Sequence, residues 1–288
     1  MARVLIQTFA TQGYLPWLEL LLESLRVHSG ERLDVRADTL NLSREEVDRI
    51  ESKYTNVELR NEHLSDAAIA GELGISGEEL AAWKGEIEDG RVSERNFLYK
   101  VYISVNRRYR ALDKVIAEAK QGGYDVLVHT DSDLYVRSDL SASALIESAQ
   151  QHDVSFYVNE NSLLHTRKVL GAFLCFNLNG NIDDFVRVWM GEIDRVPFFD
   201  RWKGFGQSVL WYAMNSVDDV DVFDLNRIRD SFRHSRHFEP EGDMWFGSNS
   251  KLKLMKLQKK LGLLKLLGRA ESSRARCWDD LERTKAAR

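Results

Sequence analysis

An α/β fold, a mostly parallel mixed sheet flanked by helices, is predicted by three features of the 288-residue sequence. Short apolar runs of strand length alternate with segments of helical periodicity, beginning at Val4. Hydrophobic residues make up 43% of the chain, enough for a substantial core. Proline is scarce, with three in all, and no low-complexity linker or internal repeat divides the sequence.

The elements follow in order. "VLIQTFA" (4–10) fits a buried strand, and Pro16 after the punctuation "TQGY" suits the first turn of a helix through "WLELLLESLRVHS". "LDVRADTL" is a strand, and "SREEVDRIESKY" a helix opened by Ser43 with Glu46 in capping-box position. "NVELR" is the third strand, and strand–helix–strand–helix–strand is the pattern of a parallel sheet covered by helices.

Residues 62–90 then read as two short helices around "GIS", the outline of a helix-turn-helix. Eight acids stand there against Lys84 alone. A nucleic-acid reader needs cations facing phosphate, so this stretch is expected to be a helical insertion (about 62–92) and no nucleic-acid partner is expected.

Leu98, Val101, Val105, Tyr109, Leu112, Ile116 and Ala119 recur at three- and four-residue steps and predict one long helix stopped at Gly122-Gly123. "YDVLVHT" is the next strand, followed by helix "SALIESAQQ", strands "DVSFYVN" and "GAFLCFNL", helices "IDDFVRVWMGEI" and "GQSVLWYAMN", and strand "VDVFDL". A polar, aromatic loop covers 227–250.

Cys175 and Cys277 are the only cysteines and form no CxxC or Cys/His cluster, which excludes a disulfide framework or structural zinc site and fits a reducing compartment. The first residues carry one Arg and too short an apolar run for a secretory signal, so a cytoplasmic location is expected. Residues 251–269 hold seven Lys and Arg, many Leu and no acid. The tail 251–288 is therefore expected to be a basic helix, either docked on the domain or touching an anionic membrane surface through 251–269.

The chemistry-bearing stretch is "HTDSDLYV". Asp131 and Asp133, one residue apart after a strand, can turn the chain or converge on a hard cation such as Mn²⁺ or Mg²⁺, which completes its shell with substrate phosphates. An EF-hand loop is excluded, because Tyr135 and Val136 occupy its fifth and sixth positions. A phosphatase of the haloacid dehalogenase type, with Asp131 as nucleophile, also begins with strand and D-x-D and stays open as an alternative, although that motif normally opens the domain and carries Thr or Val where Tyr135 stands.

Four stretches in order, "TFATQGYLPWLELLLESLRVHS", "GYDVLVHTDSDLYVRSDL", "LGAFLCFNLN" and "GFGQSVLWYAMN", resemble GT-A nucleotide-sugar glycosyltransferases with a D-x-D motif, closest to family 8, the glycogenin-like and lipopolysaccharide galactosyltransferase-like group. The resemblance spans roughly residues 4 to 215 and implies a GT-A-like, Rossmann-like transferase domain over 1–250. It implies metal ligation by Asp131 and Asp133 with His237 as a third ligand and His234 its rival. Thr8, Ala10 and Tyr14 would contact the nucleotide, and Lys114, Ser132 and Lys251 the diphosphate. Gln207 would lie behind the anomeric carbon, although the usual Asp-Gln reads Gly206-Gln207 here and the late Gly-x-x-Lys-Pro-Trp is absent.

The implied reaction moves a sugar, with retention favoured, from a nucleoside-diphosphate sugar, UDP-linked by preference, to a glycan or glycolipid acceptor in bacterial-type glycoconjugate synthesis. An inverting enzyme would need a general base, for which Glu160, Asp184 and His165 are candidates. Two alternatives stay open, the phosphatase using Asp131 and a non-catalytic scaffold that binds a membrane or partner through the basic tail.

Overall fold

The computed structural model describes residues 2–228, other than 31, 89–90, 92, 94, 138, 159–161, 164–167 and 202–203, together with the backbone of 244–246. Strand β1 (Val4–Thr11) leads through a 3₁₀ turn at Gln12–Tyr14 into α1 (Leu15–Ser29), which carries its proline in the first turn as expected. Strand β2 (Asp34–Leu40) precedes α2 (Arg44–Lys53), where Ser43 and Glu46 form the reciprocal capping box. Strand β3 (Val57–Glu62), helices α3 (Asp66–Leu73) and α4 (Gly77–Glu88), and the short α5 (Phe97–Val101) follow.

The predicted long helix is built in three parts. After α5 the chain passes through a π-helix (Tyr102–Tyr109) and continues as α6 (Arg110–Gln121). All seven apolar residues of the periodic series are buried, from Leu98 to Ala119. The wider π turn is what the periodicity did not announce, and such turns cluster at functional sites.

The second half contributes β4 (Val126–Asp131), β5 (Leu134–Val136), α7 (Ala144–Gln151), β6 (Val154–Val158), β7 (Val169–Asn177), α8 (Asp183–Arg195), α9 (Phe205–Ser216), β8 (Val222–Asp224) and β9 (Met244–Phe246). Seven strands form one sheet in the order β3-β2-β1-β4-β7-β6-β8. Pairings β3–β2, β2–β1, β1–β4 and β6–β8 are parallel, and β7 alone runs against its neighbours, so the sheet is mixed and mostly parallel, as predicted. Strands β5 and β9 pair separately, a three-residue ladder that hydrophobic patterning did not reveal.

Two apolar layers sandwich the sheet. Leu18, Leu21, Leu25, Val47, Ile50, Leu145 and Ile146 of α1, α2 and α7 cover one face, against Val4, Ile6, Val126 and Val128. Leu112, Val115 and Ile116 of α6, Phe185 and Trp189 of α8, and Val209 and Leu210 of α9 cover the other, against Leu5, Leu127, Leu174 and Phe176. Each fully buried side chain of this size contributes about 1.5–3 kcal/mol relative to exposure, so this burial is the main term holding helices to sheet.

Helices α3 and α4 form a third cluster, in which Ile69, Leu73, Leu80 and Trp83 pack on Leu98 and Tyr102. Arg107 of the π-helix pins this pair by ion pairs to Glu62, at 3.0 Å, and to Glu72. The acids of the insertion are thus partly spent on the π-helix. Among the described residues no helix is long and apolar enough to cross a membrane. The basic tail 251–288 lies outside the described residues.

Candidate active site

Strands β1 and β4 end side by side. Their parallel register sets Thr8 beside Thr130 and Phe9 beside Asp131, which places Ala10 and the D-x-D at the same carboxyl edge. Open α/β sheets bind ligands at such an edge, here where β4 meets the antiparallel β7. The segment carrying Asp133 is anchored from α1: buried Ser24 accepts the main-chain N–H of Val136 at 3.1 Å, and buried Ser29 accepts that of Leu140 at 3.0 Å.

Asp131 is partly exposed and pairs with the guanidinium of Arg108. Burial alone disfavours the charge on Arg108, and the Asp131 carboxylate outweighs this, raising its pKa above the ordinary arginine value. Asp133 differs. Burial first, and the Asp131 carboxylate second, push its acid up to about 7. The site thus holds two close carboxylates and one fixed cation, and the second carboxylate gains a proton near neutrality for want of further positive charge.

These residues fit a hard divalent cation: paired oxygen ligands at a strand end, with an electrostatic deficit that added positive charge would relieve. Among the described residues no group of three or more His, Cys, Asp or Glu side chains is placed to hold a metal ion. His237, His234 and Lys251, and the base candidates Glu160 and His165, lie outside the described residues.

The other predicted residues are distributed as follows. Thr8 and Ala10 are buried, and the Thr8 hydroxyl has no hydrogen-bond partner among the described residues. Tyr14 is exposed in the turn between β1 and α1. Ser132 is buried between the two aspartates. Gln207 is half-buried in the first turn of α9, its N–H donating to the Gly204 carbonyl at 3.0 Å. Lys114 is exposed on α6, and the basic group that reaches the D-x-D is Arg108, farther up the same helical run.

Asp184 is not part of this site. It opens α8, which follows Asn177 at the end of β7 that pairs with Val126, the opposite end of the sheet from Asp131, and it pairs with Arg187 at 2.7 Å.

A buried polar row went unforeseen. The Nδ1 of His129 bonds the Oε1 of Gln7, whose Nε2 donates to Asp38 at 2.8 Å, and Asp38 also accepts from the Nε of Arg36 at 3.3 Å. Burial, and then the nearby Arg108 charge, drive the His129 pKa well down, so the imidazole is neutral. Burial raises the acid of Asp38 against the opposing pull of Gln7 and Arg36. The signal was present as charged and amide residues inside apolar strands, "LIQTF", "VRADT" and "LVHTD". The signal for Arg108 was its place at the edge of the apolar stripe, three residues after Val105 and four before Leu112, which a solvated base does not require.

Sheet order and site are those of an α/β fold with its candidate site at the carboxyl edge of the sheet, a fold also found in solved glycosyltransferases. Among solved structures the chain is similar to apo WbbM, a bifunctional glycosyltransferase, with TM-score 0.50 and 12% identity over 86% of this chain and 46% of that one. Apo GlyE of Streptococcus pneumoniae TIGR4, also a glycosyltransferase, gives TM-score 0.45 and 14% identity over 78% of this chain and 45% of that one. The galactosyltransferase LgtC, solved with donor and acceptor sugar analogues, gives TM-score 0.48 and 11% identity over 90% of this chain and 94% of that one. The likeness to WbbM shows a shared fold, and the chain spans about half the length of WbbM and of GlyE. No family model and no curated protein matches the sequence.

Proposed function

We propose that residues 1–250 form a glycosyltransferase that moves a sugar from a nucleoside-diphosphate donor, UDP-linked by preference, to a hydroxyl of a glycan or glycolipid. The observation that carries this reading is the pair Asp131 and Asp133 at the shared carboxyl edge of β1 and β4, short of positive charge, on a glycosyltransferase fold. Asp131 and Asp133 hold Mn²⁺ or Mg²⁺, which when bound supplies Lewis-acid neutralisation of the departing diphosphate.

Arg108 adds a fixed charge that needs no proton and orients the Asp131 carboxylate. Tyr14, at the β1–α1 turn, is available to the base, and the Gln207 amide to the sugar. Retention is favoured on the family resemblance, and a role in bacterial-type glycoconjugate synthesis follows from the same source. On the same resemblance Lys251 is the further diphosphate candidate, and His237, with His234 its rival, the third metal ligand.

Calorimetric titration with UDP, GDP and other nucleoside diphosphates, with and without Mn²⁺, tests the reading. Metal-dependent binding that disappears in Asp131→Ala/Asp133→Ala supports it. A wild-type chain that ignores every nucleoside diphosphate under both conditions would defeat it.

A further inference from the structure

We propose that Tyr109 is a positioning residue of the donor site, a platform that fixes Arg108 against Asp131 and fills space that Gly171 and Gly206 leave open. The inference rests on the donor-site reading above. Tyr109 ends the π-helix, directly after Arg108, and is 1% exposed. The Cζ of Arg108 lies 4.6 Å from the centroid of its ring, within cation–π range. The ring is held edge-on by Trp189, with centroids 4.8 Å apart, and by His129 at 6.4 Å.

Two glycines make room for it. A Cβ at Gly171 would fall on the Tyr109 hydroxyl, and one at Gly206 would stand 2.7 Å from its Cε2, a separation side chains do not tolerate. Gly171 belongs to the stretch of β7 where the register against β6 slips: Phe156 pairs with Leu174, but Val158 pairs with Val169. The same stretch flanks the end of β4, since Thr130 pairs with Phe173. Irregular strands of this kind recur beside active sites and re-aim what they carry. Gly206 stands directly before Gln207 in α9.

One phenol therefore touches the β7 irregularity, the turn that presents Gln207, and the arginine on Asp131. Glycine inside a strand or helix loses more conformational freedom on folding than alanine, and here two such positions surround a single ring. Filling a core does not require this. A leucine at 109 facing two alanines would occupy comparable space with no polar atom to bury. Aromatic support for a guanidinium at the D-x-D is what the larger ring adds.

The test uses wild type, Tyr109→Phe, Tyr109→Leu, Gly171→Ala and the double variant Tyr109→Phe/Gly171→Ala. Affinity for UDP and GDP is read by calorimetry with MnCl₂ present, and folding by thermal unfolding of the same samples. Tyr109→Phe keeps the ring and binds within about threefold of wild type, whereas Tyr109→Leu folds but binds at least about tenfold more weakly. Gly171→Ala drives a methyl into the hydroxyl and weakens binding by about tenfold, and removing that hydroxyl in the double variant returns affinity to the Tyr109→Phe level. A packing role alone lowers the unfolding temperature of Tyr109→Leu and leaves the affinity of the folded protein unchanged. The proposal is overturned if Tyr109→Leu binds like wild type, or if the double variant binds no better than Gly171→Ala, while wild type still binds. If wild type binds neither nucleotide, the donor reading itself falls and takes this one with it.

Discussion

Strand β4 has an acid at each end, and the two ends are built on opposite principles. At its start, Asp125 accepts the main-chain N–H of Arg3 at 2.8 Å and the side-chain amide of Asn179 at 3.0 Å. Those bonds, the Arg3 N–H above all, lower its pKa below the ordinary carboxylate value. Nearby Asp153 accepts the N–H groups of Asn181 at 2.7 Å and Asp221 at 2.9 Å. At the other end, Asp133 is held protonated near neutrality by burial and by Asp131, and Asp131 leans on one arginine. Acids that close main-chain N–H groups are structural parts. Under the proposed function, acids left short of positive charge are the ones that take a ligand.

The largest effect expected from breaking this contrast is at Asp133. Asp133→Ala is expected to weaken Mn²⁺-dependent UDP binding by about a hundredfold, the equivalent of roughly 2.7 kcal/mol, and to leave the unfolding midpoint unchanged or higher. Urea unfolding and calorimetry on one preparation check both halves. A stability loss equal to the binding loss would remove the distinction between the two ends.

Next comes the mirror experiment. Asp153→Ala strips the partner from two main-chain N–H groups and is expected to destabilise the chain by about 2 kcal/mol in urea unfolding, with nucleotide affinity unchanged. Arg108→Lys comes third. It keeps the charge but loses the planar fork that meets Asp131 and the flat contact with Tyr109, so nucleotide affinity is expected to fall by about tenfold. If Arg108→Lys binds like wild type, Arg108 serves the site only as a point charge.

Most of the scaffold was legible because its physics is periodic. The seven helical positions from Leu98 to Ala119 and the apolar runs of β1, β4 and β7 each bury the side chains their spacing selects. Ser43 and Glu46 cap α2 because a capping box is a local event. The D-x-D was legible because two acids at the end of an apolar run conflict with their surroundings.

Arg108 was not. It stands seven residues after Val101, at the edge of the apolar stripe and not opposite it as Lys114 does, but spacing does not show which acid such a base meets, here Asp131. Strands β5 and β9 were missed because three residues are too few to show alternation, and their partners lie about a hundred positions apart. Asp184 looked equivalent to the site acids until the antiparallel course of β7 put it at the other end of the sheet. Chain direction through a mixed sheet is a tertiary fact with no local signature.

The smallest expected effect is also the one in which sign decides. Asp38, in the polar row near the site end of the sheet, has its acid raised by burial, so the folded chain binds its proton more tightly than the unfolded chain does. Stability linked to it is greatest at low pH and is lost as pH rises from the ordinary value of 3.8 through the raised folded value. Asp125 is lowered instead, so its contribution is present above the ordinary value and disappears as pH falls through the folded one. Asp38→Asn and Asp125→Asn should therefore differ from wild type with opposite slopes. Across the window above 3.8, Asp38→Asn becomes progressively less unfavourable relative to wild type, because the wild-type penalty for ionising a buried acid is growing. In the acid range below that value, the deficit of Asp125→Asn shrinks toward zero as pH falls, and the effect is small because Asp125 stands in solvent. The asparagine at 38 also forfeits one of two accepted bonds, from Gln7 or Arg36, which offsets the whole curve without changing its slope. Unfolding free energies at half-unit pH steps read the slopes directly. Parallel slopes would mean that the two ends of the sheet treat their acids alike, and that the contrast assigning ligand binding to one end rests on Asp133 alone.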